Sequence, residues 1–172
     1  PLAKPVKLGA ILPLTGELAD VGEWLREGIE LAVEDYERSH RDGFDLELVI
    51  LDDRSVADEI PAIMAELESE KVLGIIGPTG SEAFAAAVRT RRDPKLPIIS
   101  PTATEVQRPD TSVYTLYDFV TRELDVAADL AHWVVEELGL KRVGILYPKR
   151  GRGRAVSAFE DAIVAAGGVV VA

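Results

Sequence analysis

Two hydroxyl-rich stretches carry the chemistry most readily read from this chain: Gly77-Pro78-Thr79-Gly80-Ser81 and Ile99-Ser100-Pro101-Thr102-Ala103-Thr104. Neither contains a charge. Each follows a short apolar run, Val72–Ile76 before the first and Leu96–Ile99 before the second. Such uncharged hydroxyl sets suit hydrogen bonding to a small polar solute and offer no nucleophile with its base. Thr79 and Glu82 have the T-x-x-E spacing of a capping box, which predicts a helix starting there. That leaves the Ser81 hydroxyl for a ligand, beside helix N–H groups able to hold a carboxylate. The competing readings are a solvated first-turn serine for Ser81 and ordinary turn chemistry for Thr102 and Thr104.

Other candidates carry less. Asp52-Asp53 could be an acid/base pair or a metal site. However, no His or further carboxylate clusters with them, and Asp and Ser favour helix-capping loops, so a cap for a helix over Val56–Glu70 is the preferred reading. His40 and His132 lie far apart on predicted helices and read as surface or packing residues. Gly151-Arg152-Gly153-Arg154-Ala155-Val156 comes near a dinucleotide fingerprint but ends in Val and starts four residues after its strand. The same loop holds Lys149, Arg150, Arg152 and Arg154, a basic run that is either solvated or a contact for an acidic ligand. No catalytic residue, metal ligand or cofactor is assigned.

The elements that must position these residues alternate in type. Apolar runs predict strands at Val6–Leu12, Asp45–Leu51, Lys71–Ile76 and Pro97–Ser100, with Ser112–Leu116 as a fifth. Asp20 and Glu23 suggest a capping box for a long helix with Val21, Leu25, Ile29, Ala32, Val33 and Tyr36 on one face. Gly28 inside that helix suggests close packing on the sheet. Tyr117-Asp118-Phe119 reads as a crossover to a helix over Thr121–Leu138 ended by Gly139, with Leu124, Ala127, Ala128, Ala131, Val134, Val135 and Leu138 inward. A strand at Val143–Tyr147, a helix over Arg154–Ala166 and a strand at Val169–Val171 follow. This alternation predicts an α/β fold, a doubly wound parallel sheet with helices on both faces. In such sheets ligands bind at the carboxyl ends of the strands, where both hydroxyl stretches fall.

Of the 172 residues, 47% are hydrophobic, 19 are Lys or Arg and 30 are Asp or Glu, a formal net charge of −11. That balance argues against nucleic-acid or anionic-membrane binding. There is no cysteine, so disulfides and thiolate metal sites are excluded. No apolar run approaches the ~20 residues of a membrane span.

The residues resemble the type 1 periplasmic binding proteins, in particular the leucine/isoleucine/valine-binding receptors of branched-chain amino acid ABC transporters. The matching pieces are Gly9-Ala10-Ile11-Leu12-Pro13-Leu14-Thr15-Gly16 with Gly22 and Gly28, then Leu51-Asp52-Asp53, then Ile75-Ile76-Gly77-Pro78 with Ser81. Pro97-Ile98-Ile99-Ser100-Pro101 with Ala103-Thr104, then Val143–Leu146 and Gly153, complete them. Each is weak alone. In family order over nearly the whole chain, they are specific for the family and not for a ligand.

The resemblance implies a first ligand-binding lobe over 1–117, then a crossover and the incomplete start of a second lobe over 118–172. Family members run to roughly twice this length, so a truncated receptor is implied. It further implies that Ser81 binds an amino-acid head group, Thr102 contributes backbone atoms, and Thr104 binds the ammonium and carboxylate region. Two positions depart from the pattern. Val21 stands where an aromatic often precedes the loop glycine, and Arg152 where a tyrosine is common; Arg152 suits a more acidic ligand. The implied function is extracellular solute binding, of an amino acid or related small carboxylate, with a membrane permease as partner. The implied location is periplasmic or extracellular, secreted or lipid-anchored. An interaction or sensor protein with a vestigial cleft, such as a cell-wall synthesis activator, is the alternative. A doubly wound enzyme is a distant third. The Val169–Val171 edge suggests a homodimer of the fragment.

Overall fold

A computed structural model describes residues 5–40, 45–104, 116–118, 121, 123–147 and 153–171. They fall into two compact units divided between 120 and 121. The first runs β1 (Val6–Leu12), α1 (Ala19–Ser39), β2 (Leu46–Asp52), a 3₁₀ turn (Ala57–Glu59), α2 (Ile60–Ser69), β3 (Ile75–Ile76), α3 (Ser81–Thr90), β4 (Ile98–Ser100) and β5 (Leu116–Asp118). Its strands form one sheet in the order β2-β1-β3-β4-β5, every neighbour parallel. The α/β reading holds.

The side chains alternate between two faces of this sheet, as strand geometry requires. One face packs Ile11, Ile75 and Ile98 against Ile60, Met64 and Leu67 of α2 and Phe84 and Ala87 of α3. The other turns Leu8, Leu46 and Ile76 toward α1 and leaves an apolar cavity of about 450 Å³ against Leu25, Ile29 and Val33. Among α1 residues only Gly22 is buried.

Several local expectations change. Asp20 does not cap α1: the helix starts at Ala19 with no side-chain cap, and the Leu18 N–H donates to Ser55 Oγ across the sheet edge instead. Glu23 is then free to bind Arg26. Gly28 is not a tight contact, since a Cβ there would meet nothing within 4 Å. The close approach is at Gly22, where a Cβ would lie 2.2 Å from the Pro13 carbonyl oxygen. The third strand is regular over two residues only. Its flanks still pair, Leu73 N–H with the Lys7 carbonyl and the Gly74 carbonyl with Gly9 N–H, both at 2.9 Å. Tyr117 and Asp118 are not a crossover but belong to β5, paired with β4. Of the predicted fifth strand only Leu116 lies within the described residues.

The second unit holds α4 (Glu123–His132), which continues as a π-helical segment (Trp133–Glu137), then β6 (Arg142–Gly144), α5 (Arg154–Ala165) and β7 (Val169–Val171). β6 and β7 pair in parallel. Its core is Ala131, Val135 and Ile163 with Val143, Phe159 and Val170 around them. The predicted continuous helix therefore widens at His132, and Leu138, expected inward, is exposed. Among the described residues no helix is long and apolar enough to cross a membrane.

Candidate functional site

Both hydroxyl-rich stretches lie at the carboxyl ends of adjacent strands, β3 and β4. The turn after β3 starts at Gly77, whose φ of +95° and contact with the Ile11 carbonyl suit only glycine. Its N–H donates to the Ile99 carbonyl at 2.7 Å, which ties the first stretch to the second.

Side chains tighten that tie. Ser100 is wholly buried; its hydroxyl donates to the Pro78 carbonyl at 3.1 Å and accepts from Ala103 N–H at 3.0 Å. Thr102 Oγ1 accepts from Gly80 N–H at 2.9 Å. Ser81 Oγ accepts from Thr104 N–H at 3.2 Å. Ser81, Thr102 and Thr104 are thus brought together and each is half-buried. Val21 lies half-buried in the first turns of α1, while Arg152 lies outside the described residues, as do Lys149 and Arg150.

The expected capping box is absent. Gly80, at φ +83°, is the N-cap of α3 and provides no side-chain cap. Because Gly80 and not Thr79 occupies the cap, the Thr79 hydroxyl oxygen is buried with no partner. Ser81 opens the helix, so the α3 N–H groups and its hydroxyl sit side by side.

Asp52 and Asp53 do not cap the following helix either, which starts from Val56 with no side-chain cap. They stitch loops. Asp52 accepts from Thr15 N–H at 3.1 Å, Thr15 Oγ1 at 2.7 Å and Arg54 N–H at 2.8 Å. Burial acts to raise the Asp52 pKa, but these bonds outweigh it and hold the carboxyl below its usual range. Asp53 is 3% exposed and accepts one bond, from Ser55 N–H at 2.9 Å. Burial and then the Asp52 charge raise its pKa against that bond. Ser55 Oγ donates to the Thr15 carbonyl at 2.9 Å. Sequence reading missed this role because a short D-D-R-S run is equally consistent with a cap; the signal was the hydroxyl at Thr15, 37 residues away.

Between these loops and α3 lies a cavity of about 200 Å³, lined by Pro13, Leu18, Asp53, Ser55, Thr79 and Ser81, among others. Thr102, Thr104 and Val21 are not in its lining. Among the described residues no group of three His, Cys, Asp or Glu side chains could hold a metal ion. In the first unit His40 stacks on Tyr36, and in the second His132 pairs with Glu136 at 3.0 Å.

A profile of the family described as "Periplasmic binding protein" matches residues 5–172. The chain belongs to that family. No curated protein sequence matches it. Among solved structures it is similar to the branched-chain amino acid transporter substrate-binding protein LivJ from Streptococcus pneumoniae, in complex with isoleucine. The identity is 25% and the TM-score 0.77, over 98% of this chain and 48% of that one. The leucine-binding protein LivK from Thermotoga maritima is 27% identical with a TM-score of 0.73, over 96% and 47%. A solute-binding protein of an ABC transporter from Rhodopseudomonas palustris, in complex with 3,4-dihydroxybenzoic acid, shares the fold at 24% identity and a TM-score of 0.77, over 98% and 46%. The chain spans about half the length of these relatives.

Proposed function

We propose that this chain is the first ligand-binding lobe, with the start of the second, of a solute receptor that serves an ABC transporter permease outside the cytoplasmic membrane. Its role is binding, not catalysis. The solute is an amino acid or related small carboxylate. In this reading Ser81, Thr104 and the α3 N–H groups take the carboxylate, Thr102 lends backbone atoms, and Val21 leaves room where relatives place an aromatic. Arg152 favours an acidic group, on the resemblance alone.

The observation that supports it best is the Thr104 N–H to Ser81 Oγ contact of 3.2 Å beside an uncapped helix N-terminus. Donors converge there at the strand ends where sheets of this kind bind ligands. The test is calorimetry and NMR with leucine, isoleucine, glutamate and benzoate. A chain holding one lobe wets its ligand, so affinity near millimolar, ~−4 kcal/mol, is expected. Ser81→Ala should abolish the response at the Thr104 amide. A response confined to residues away from Ser81 and Thr104 would overturn the assignment.

A further inference from the structure

The helix α1 carries apolar residues on more than the side that covers the sheet. Trp24 keeps 69% of its surface exposed and Leu31 57%, and Gly28 is exposed between them. Positions 24, 28 and 31 follow the i, i+4, i+7 spacing that sets residues along one line of a helix. Trp24 and Gly28 also border the apolar cavity of about 450 Å³ under α1. A lone exposed leucine needs no explanation; a tryptophan and a leucine in line beside an open apolar cavity mark a contact surface.

The charges at the two ends of this line say what covers it. Asp20 stands four residues before Trp24 and Arg38 seven residues after Leu31, so the line runs from an acid to a base. Both are exposed, and Arg38 is held along the helix by Asp35 at 2.9 Å. A copy of the same helix laid antiparallel, crossing at Gly28, sets Trp24 against the partner's Leu31 and Asp20 against the partner's Arg38, each twice. A parallel copy sets like charges together at both ends. A Cβ at Gly28 would meet nothing within 4 Å, so the crossing point is open to a second backbone. Glu27 meets its own copy near the crossing, a like-charge contact that weakens the pair.

We propose that the outer line of α1 is an interaction surface for a second copy of this chain, joined as an antiparallel helix pair about a two-fold axis at Gly28. The surface is separate from the binding edge and independent of the receptor reading. The 21 residues of α1 offer about 30 Å of contact, which suits a small, reversible interface.

The test is sedimentation equilibrium of the 172-residue chain from micromolar to millimolar concentration. The formal net charge of −11 opposes association. The solution therefore holds ~0.1 M salt, which screens charges more than about 10 Å apart and spares close pairs. A monomer–dimer equilibrium with a dissociation constant near ~100 μM is expected. Trp24→Glu should raise that constant at least about tenfold by placing a charge in the contact. Asp20→Arg brings two bases together at each end of the pair, and Arg38→Asp two acids; either should weaken the dimer about fivefold. Mixing these two variants restores opposite charges at both ends and should return near-unaltered association as a heterodimer. Circular dichroism checks the helix content of each variant, and the charge pair carries the test alone if Trp24→Glu loses helix. A chain that stays monomeric at millimolar concentration overturns the proposal. So does a dimer indifferent to Trp24→Glu, which another face such as the β7 edge would build, and so does a mixture no tighter than its separate variants.

Discussion

The two faces of the first sheet are built from the same strands and packed very differently. Against α2 and α3, Ile11, Met64, Leu67, Ile75, Phe84 and Ile98 are essentially without exposure. Against α1, Leu8, Leu25, Ile29, Val33 and Ile76 are half-covered around a cavity, and Trp24 and Leu31 are exposed. A parallel sheet normally has both faces covered. The difference teaches that periodicity reports which side of an element is apolar and not how closely a neighbour approaches it. What brings α1 close is a single point, Gly22 against the Pro13 carbonyl.

Truncation on each face should expose this contrast. Phe84→Ala should cost about 3–5 kcal/mol, the range for emptying a close-packed site. Ile29→Ala on α1 should cost under about 1 kcal/mol, because the side chain is only partly removed from water. Urea unfolding at equilibrium measures both, and equal losses would mean that the α1 face is as tight as the other.

The two glycines of α1 sharpen the point. Gly22→Ala places a Cβ 2.2 Å from a backbone oxygen and should destabilise by roughly 1–3 kcal/mol, as overpacking does. Gly28→Ala meets nothing and should stabilise by about 0.5–1 kcal/mol through helix propensity. Opposite signs in thermal melts are expected; a loss at Gly28 would mean that α1 lies closer to the sheet there.

The smallest effects belong to the loop carboxyls. Asp52 has a depressed pKa, so its stabilisation is complete above the unfolded value near ~3.9 and disappears as pH falls through its lower folded value. Asp53 has a raised pKa. The fold therefore gains from it as pH falls from that raised value toward ~3.9, and forgoes the gain above. Replacing Asp52 with Asn should remove acid sensitivity at the low end. Replacing Asp53 with Asn should favour the variant increasingly as pH rises through the raised value. Urea midpoints from pH 3 to 7 read both slopes, and matching slopes would break the distinction between the two carboxyls.

Much of the architecture was legible in the residues. Apolar runs and helix periods fix the strand–helix alternation, and with it the strand ends where Ser81 and Thr104 meet. Local signals misled where a distant group competed. The T-x-x-E at Thr79 predicts a cap, but Gly80 adopts a positive φ and takes the position itself. Asp20 predicts a cap, but α1 starts one residue earlier, with Leu18 at the N-cap, which places Asp20 inside the first turn. Gly28 suggests close packing because sequence cannot tell which of two helical glycines faces a backbone. The cavity beside Asp53 is built from three loops far apart in the chain, and no window of sequence contains it.

The stitching of the first two loops has a consequence for how such a module can be altered. Four hydrogen bonds join Thr15 and Leu18 to Asp52 and Ser55, and Gly16 leaves no room for a Cβ against the Arg54 carbonyl. Changes on either side of such a joint are not additive. Residues 13–18 and 52–55 therefore constitute one transplantable part. A chimera that exchanges either segment alone with a relative inherits half a joint, whereas one that exchanges both carries the rim of the binding edge across intact.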